Sequence, residues 1–254
     1  MPCPKRIECE SQVYHLTARG VGRMNIFEDD GDRQEFMRLV AFALKNRGVQ
    51  LLAWCLMSNH AHLLVHGSLA EVSKAMKASL GRYATVFNSR HGRVGHLFQG
   101  RFASTPILDD AQLIATVCYI HSNPARAGIS DTDRYSWSSY REYIGAPVLA
   151  ETAFVLDIMG GTEGFISLHR SEESPEPPPS PSRLRTAFFD EEAKKTAQEM
   201  LGGSALGDLA GLPKAERDEK LAALKAAGLS IRQIERLTGI GRNIVHRAAS
   251  AKAE

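Results

Sequence analysis

The pattern of apolar and polar positions divides the first 130 residues into seven elements. VYHLTARG (13–20) is rich in β-branched and aromatic residues and ends at a glycine, which predicts a strand. DRQEFMRLVAFALKNRG (32–48) opens acidic, carries apolar residues at helical spacing and closes on a glycine, which predicts a helix. QLLAWCLM (50–57) and HAHLLVHG (60–67) predict a hairpin turned at Ser58-Asn59. SLAEVSKAMKASLGRYATVFNSRHG (68–92) reads as a second helix, and GHLFQGRFASTPI (95–107) as a short hairpin or strand. DDAQLIATVCYIHSNPARAG (109–128) begins with aspartates and ends in Pro and Gly, predicting a helix through about Ser122. Strand, helix, strand, strand, helix, strand, helix is the order of an α+β, ferredoxin-like antiparallel sheet with one added helix.

The pattern breaks at RSEESPEPPPSPS (170–182), where prolines and charges crowd together with almost nothing apolar to bury. The expected organisation is a first domain over 1–145, an acidic, Pro-rich connector over 146–182, and a small all-α domain over 183–254. Within the last, Leu221, Leu224, Ile231, Ile234, Leu237, Ile240, Ile244 and Val245 have helical spacing. Gly228 ends one helix, Ser230 can cap the next, and Thr238-Gly239-Ile240 turns into a third. That predicts a helix-turn-helix over about 214–250. Its last helix carries Arg242, Asn243, His246 and Arg247, side chains of the kind that contact base edges and phosphates. A helical bundle for protein contact is the alternative.

Composition changes the picture little. Of the 254 residues, 43% are hydrophobic and 24% charged, as in ordinary globular proteins. No apolar run approaches the ~20 residues of a membrane span, and the start does not read as a signal peptide, so a cytoplasmic, nucleoid-associated protein is expected. Cys3, Cys9, Cys55 and Cys118 form no CxxC pair, which argues against a disulfide framework or zinc ribbon. The net charge of +2 conceals a balance of +4 over 1–145, −5 over 146–181 and +3 over 182–254. Two mildly basic blocks around an acidic connector are compatible with a polyanionic partner.

The candidate chemistry starts at MSNHAHLLV. Strand side chains alternate faces, so His60 and His62 share one. They are either metal ligands or polar residues on an ordinary strand face; two close imidazoles can share a divalent cation. Tyr119 and Asn123, four apart, lie one above the other on a helix. They are either a nucleophile and an amide ligand for Mg²⁺ or Mn²⁺, or a core tyrosine and a helix cap.

HLTARG, WCLMSNHAHLLV, LFQGRF and YIHSNPARAG, in this order and spacing, strongly resemble the REP-associated tyrosine transposases. These are IS200-like, single-tyrosine members of the HUH superfamily of single-strand DNA nickases, and the resemblance covers about residues 4–145. It implies that His60 and His62 bind a divalent metal ion, Mg or Mn, that Asn123 completes the site, and that Tyr119 is the catalytic nucleophile. Free tyrosine has a pKa near ~10, so its phenol needs a nearby cation to attack. Attack on a phosphodiester would give a 5′-phosphotyrosine and a free 3′-hydroxyl, which can later reverse the reaction onto another strand. The implied partner is single-stranded or hairpin DNA of repeated palindromes. In the family a stretch similar to GHLFQGRF lies near the active site, so Arg101 is expected to contact phosphate, with His96 and Gln99 behind it; the alternative is a solvated turn with Phe98 and Phe102 packed. By position alone, Arg19, Arg23 and Arg126 are further phosphate candidates. The helix-turn-helix is a departure from many relatives, and suggests duplex DNA as a further partner. A homodimer is left open, and no membrane partner is expected. The alternatives are a DNA-binding regulator that kept the fold and lost catalysis, and an RNA-binding protein using the same sheet.

Overall fold

The expected hairpin over 50–67 makes up two of the four strands of the sheet. The structure, a computed structural model, describes residues 6–171, 191, 193–201 and 206–250. β1 (Val13–Arg19), β2 (Gln50–Met57), β3 (His60–His66) and β4 (Ala103–Pro106) form one sheet in the order β2-β3-β1-β4, with every neighbouring pair antiparallel. With α1 (Asp30–Lys45) between β1 and β2 and α2 (Leu69–Arg90) between β3 and β4, this is the ferredoxin-like arrangement. Of the segment 95–107, only Ala103–Pro106 is a strand; the rest reaches β1 through an isolated bridge between Gly20 and Phe98.

Strand alternation separates two cores. Tyr14, Leu16 and Ala18 of β1 and Ala61, Leu63 and Val65 of β3 pack with Phe36, Val40, Val72 and Met76 of α1 and α2. The opposite face meets α3 (Asp110–Arg126), whose Leu113, Val117 and Ile120 bury with Val13, Leu64 and Cys55. Asp109 caps α3, its carboxylate accepting from Gln112 N at 2.7 Å.

Two boundaries need correction. α3 does not stop near Ser122 but runs to Arg126 with Pro124 inside it. Pro124 forfeits one backbone bond, but it is buried, and Ala127 N→Asn123 O and Ile129 N→Pro124 O close the turn. The left-handed Gly128 (φ 67°) then ends the helix. Nor is 146–170 connector. After α4 (Tyr140–Ile144), residues Ala153–Met159 (α5) and Gly161–Arg170 (α6) are helical and bury Val155, Met159 and Phe165 in the α3 core. The chain divides into two units, 1–181 and 182–254. The Pro-rich run itself lies outside the described residues beyond Ser171, as does Cys3.

A carboxylate fastens this added layer. Glu142 Oε2 accepts the backbone N–H groups of Val148, Leu149 and Ala150 at 2.7, 2.6 and 2.8 Å, and Oε1 accepts Trp54 Nε1 at 2.9 Å. Glu142→Ala leaves four buried or half-buried donors without an acceptor. We expect a loss of about 3 kcal/mol and a fall in Tm of roughly 6–12 °C by calorimetry.

The second unit contains a helical stretch at 193–200 (α7), a 3₁₀ turn at Leu206–Gly211, α8 (Lys214–Ala226), α9 (Ile231–Thr238) and α10 (Arg242–Ser250). Its core is Leu221, Leu224, Ile234, Ile240 and Val245. Ser230 and Gln233 form a capping box on α9, and Gly239 (φ 72°) closes it in the left-handed region.

Candidate active site

Pairing register gathers the histidines. Thr17 lies opposite His62 and Arg19 opposite His60, all on the face that meets α3. His15, two residues along β1, reaches the same place: its Nε2 is 2.9 Å from His62 Nδ1. Thr17 Oγ1 is 3.3 Å from that nitrogen. The His60 and His62 rings meet edge-on at 4.8 Å. Across from them stands Tyr119 of α3, its ring edge-on to His62 at 5.6 Å and to His15 at 6.0 Å. The structure thus brings His60, His62 and Tyr119 together and adds His15 and Thr17.

Burial keeps these rings neutral. His15 is pushed down to about 4 by desolvation alone. His60 falls to about 4 through desolvation and the charge of Arg19, and His62 lies well below the ordinary value through desolvation and then His15, His60 and Arg19. The charge of Arg19 thus bears on both histidines.

The nitrogens divide by role. His60 Nδ1 donates to Asn59 Oδ1 at 2.6 Å, and His62 Nδ1 faces His15 and Thr17. His62 Nε2 is buried without a hydrogen-bond partner among the described residues. A neutral imidazole with its Nδ1–H held by a neighbour and its Nε2 lone pair unused is the form in which histidine ligates metals. The donor chemistry therefore fits a divalent cation on His60 and His62. Among the described residues, no group of three or more His, Cys, Asp or Glu side chains is placed to hold a metal. Further ligands would have to be an amide, a phosphate oxygen or water.

Asn123 lies one turn beyond Tyr119, but its amide turns back onto the helix, Nδ2 donating to Tyr119 O at 2.7 Å. It makes no hydrogen bond to either histidine among the described residues. Arg126 lies over the Tyr119 ring, 5.4 Å from its centroid. Arg101 is elsewhere, exposed on a groove beside α2 with His96. Arg242, Asn243, His246 and Arg247 are all exposed on α10, in the second unit; Arg242 Nε is held by Glu235 Oε2 at 2.5 Å.

The other tyrosines are engaged. Tyr83, Tyr135 and Tyr143 hydroxyls donate to the carbonyls of Ile26, Leu56 and Leu52, and Tyr14 accepts from Cys9 N. Tyr140 is buried against His121, Phe165 and His169. Tyr119 is only half-buried, and its hydroxyl has no hydrogen-bond partner among the described residues.

Sequence reasoning missed His15, although its position two before Thr17 already put both on one strand face. It also missed a second histidine pair. His169 Nδ1 donates to Phe165 O at 2.8 Å, His121 Nδ1 lies 3.1 Å from His169 Nε2, and His121 Nε2 lies 2.8 Å from Ser139 Oγ. This chain ties α3 to α6 and, through Ser139, to Trp54 of β2. Burial lowers both rings, His169 to about 4 and His121 well below its ordinary value. The folded pKa values are depressed, so the unfolded chain takes up these protons first as pH falls. Stability is therefore full above about pH 6.5 and declines from there towards about 4, by about 1.4 kcal/mol per pH unit for each ring. Tm measured from pH 7.5 to 5 should fall, and more shallowly in His169→Gln.

Residues 8–123 match the family model described as "Transposase IS200 like". The likeness drawn from the sequence motifs is borne out over that segment, just under half of the chain. No curated protein sequence matches the chain. Among solved structures, one described as a REP-associated tyrosine transposase bound to a REP hairpin is similar with 16% identity and a TM-score of 0.47. The similarity covers 63% of this chain and 97% of that one. A crystal structure of a transposase candidate from Deinococcus radiodurans gives 18% identity and a TM-score of 0.33, over 50% of this chain and 92% of that one.

Proposed function

We propose that this chain, whose residues 8–123 match the IS200-like transposase family, nicks single-stranded DNA and transfers the strand through a covalent link to Tyr119. The observation that carries the reading is the half-buried Tyr119 set edge-on, at 5.6 Å, to a histidine whose Nε2 has no hydrogen-bond partner among the described residues.

Tyr119 Oη attacks the scissile phosphorus. A phosphorus–oxygen bond to the tyrosine forms, the bond to the 3′-oxygen breaks, the phenolic proton is lost, and the 3′-oxygen leaves as a hydroxyl. The phosphodiester is exchanged, not hydrolysed, so the reaction can run back from another 3′-hydroxyl. His60 and His62, with Asn123 as an amide ligand after its side chain turns, would hold the divalent cation through their Nε2 atoms. Mg²⁺ or Mn²⁺ bound there supplies charge neutralisation at the phosphate and favours the phenolate. His15 and Thr17 fix the His62 ring and its tautomer. Arg19, beside His60, and Arg126, over the Tyr119 ring, offer positive charge to the DNA backbone.

The second unit is read as a duplex-binding module. α9 and α10 are joined by a left-handed glycine, Ile234, Ile240 and Val245 lock them together, and α10 exposes Arg242, Asn243, His246 and Arg247. Hairpin DNA of palindromic repeats is the proposed substrate, on the strength of the sequence motifs. The test is incubation with labelled single-stranded hairpin DNA and Mg²⁺ or Mn²⁺, followed by a denaturing gel. A protein-linked band that EDTA removes supports the reading. Binding without any such band would move it to a non-catalytic DNA-binding regulator.

A further inference from the structure

A groove of about 780 Å³ runs between α2 and the 95–102 segment. No acidic residue lines it, whereas Arg6, Lys77, His96 and Arg101 do, over an apolar floor that includes Phe98 and Phe102. Two cations of α2 outside the groove are paired. Lys74 is paired with Glu71 at 2.6 Å, and Arg90 with Asp29 and Asp32 at 2.7 Å each. Lys77 and Arg101 have neither an ion-pair nor a hydrogen-bond partner among the described residues. Arg6 is set as a wall, its guanidinium 3.8 Å from the Phe102 ring centroid and 3.2 Å from Ser73 Oγ. Gly81 keeps the groove open: a Cβ there would meet nothing within 4 Å.

Uncompensated positive charge at the rim, aromatic rings below and a planar guanidinium at one wall are the elements that hold unpaired nucleotides. The volume lies within the ~300–1,000 Å³ of small-ligand sites, room for one or two of them. The groove is also joined to the site. Gln99 N donates to Arg19 O at 2.9 Å, Val21 N to Leu97 O at 3.0 Å, and Arg19 is paired with His60. The groove lies on the α2 face of the sheet and the histidines on the α3 face, so a strand leaving them would reach this floor by passing around the end of β1.

We infer that the groove binds one or two unpaired nucleotides flanking the scissile phosphate, with phosphates at Lys77 and Arg101 and a base over Phe98 and the Arg6 guanidinium that covers Phe102. This rests on the DNA-nicking reading above, and deepens it by naming where the single strand is held. The test uses the full chain carrying Tyr119→Phe, so that no DNA is trapped covalently. Anisotropy is measured with a labelled hairpin bearing short single-stranded flanks and with the same hairpin trimmed flush. Gly81→Phe, which fills the groove, and Lys77→Glu, an exposed charge reversal, should each weaken the flanked hairpin tenfold or more and leave the trimmed one unchanged. Lys77→Ala should lower the slope of log affinity against log salt by about 0.7. Flanked DNA bound by both Gly81→Phe and Lys77→Glu as tightly as by their parent would overturn the inference, as would equal losses on flanked and trimmed DNA. The two readings fail separately: groove-dependent binding without covalent chemistry in the Tyr119 protein sinks only the nicking, and covalent chemistry with an indifferent groove sinks only this inference.

Discussion

Tyr119→Phe is expected to abolish covalent attachment of DNA, lowering the rate of adduct formation by on the order of 10⁴-fold or more, while non-covalent DNA binding persists. The change removes one oxygen. That hydroxyl makes no hydrogen bond among the described residues, so its loss leaves no orphaned partner and the fold has no reason to weaken. The ring remains against His62 and His15 and beneath Arg126. A chemical defect without a binding or stability defect is the signature of a nucleophile. The same change at Tyr143 should behave in the opposite way, because its hydroxyl donates to Leu52 O at 2.7 Å in the core. Rates from gel time courses, with circular dichroism melts of both variants, separate the two cases. Adduct at the parental rate in Tyr119→Phe would remove this residue from the mechanism.

His62→Ala should be the second large effect, a loss of about 10²–10⁴-fold in adduct formation, which corresponds to several kcal/mol of charge stabilisation. It deletes the one buried imidazole nitrogen without a hydrogen-bond partner among the described residues. It also takes away the group that His15 and Thr17 hold, so His15→Ala should reproduce part of the loss by letting the His62 ring turn. Calorimetric titration with Mn²⁺ supplies an independent readout: His62→Ala should lose the binding heat, whereas Tyr119→Phe should keep it. Retention of both Mn²⁺ binding and full activity in His62→Ala would rule out the histidine pair as the metal centre.

Much of this site could be read from the chain because its periods are short. Alternation alone put His60 and His62 on one strand face, and a spacing of four put Asn123 one turn from Tyr119. Pairing is a different kind of information. That His15 stacks on His62 depends on the register Thr17↔His62, which no local pattern encodes. Pro124 was misread for a related reason: the rule that proline ends a helix is local, whereas the burial that offsets it is tertiary. The connector was drawn too early because 146–170 is acidic and broken by Gly160 and Gly161. Its helices are held by distant partners, Glu142 against Trp54 and His169 against His121, and neither contact leaves a periodic trace. The Asn123 side chain is the residue whose place in the sequence and whose contacts diverge most, since its amide serves its own helix.

The most direct test of the central claim is to locate the covalent bond. Protein linked to hairpin DNA in Mn²⁺ is digested with nuclease and trypsin, and the peptide that retains a 5′-phosphonucleotide is sequenced by mass spectrometry. The span from Phe102 to Arg126 contains no internal Lys or Arg and a single tyrosine, so the assignment is unambiguous. The account predicts the added mass on Tyr119. A nucleotide on any other tyrosine, or no modified peptide from a preparation that binds the DNA, would contradict it.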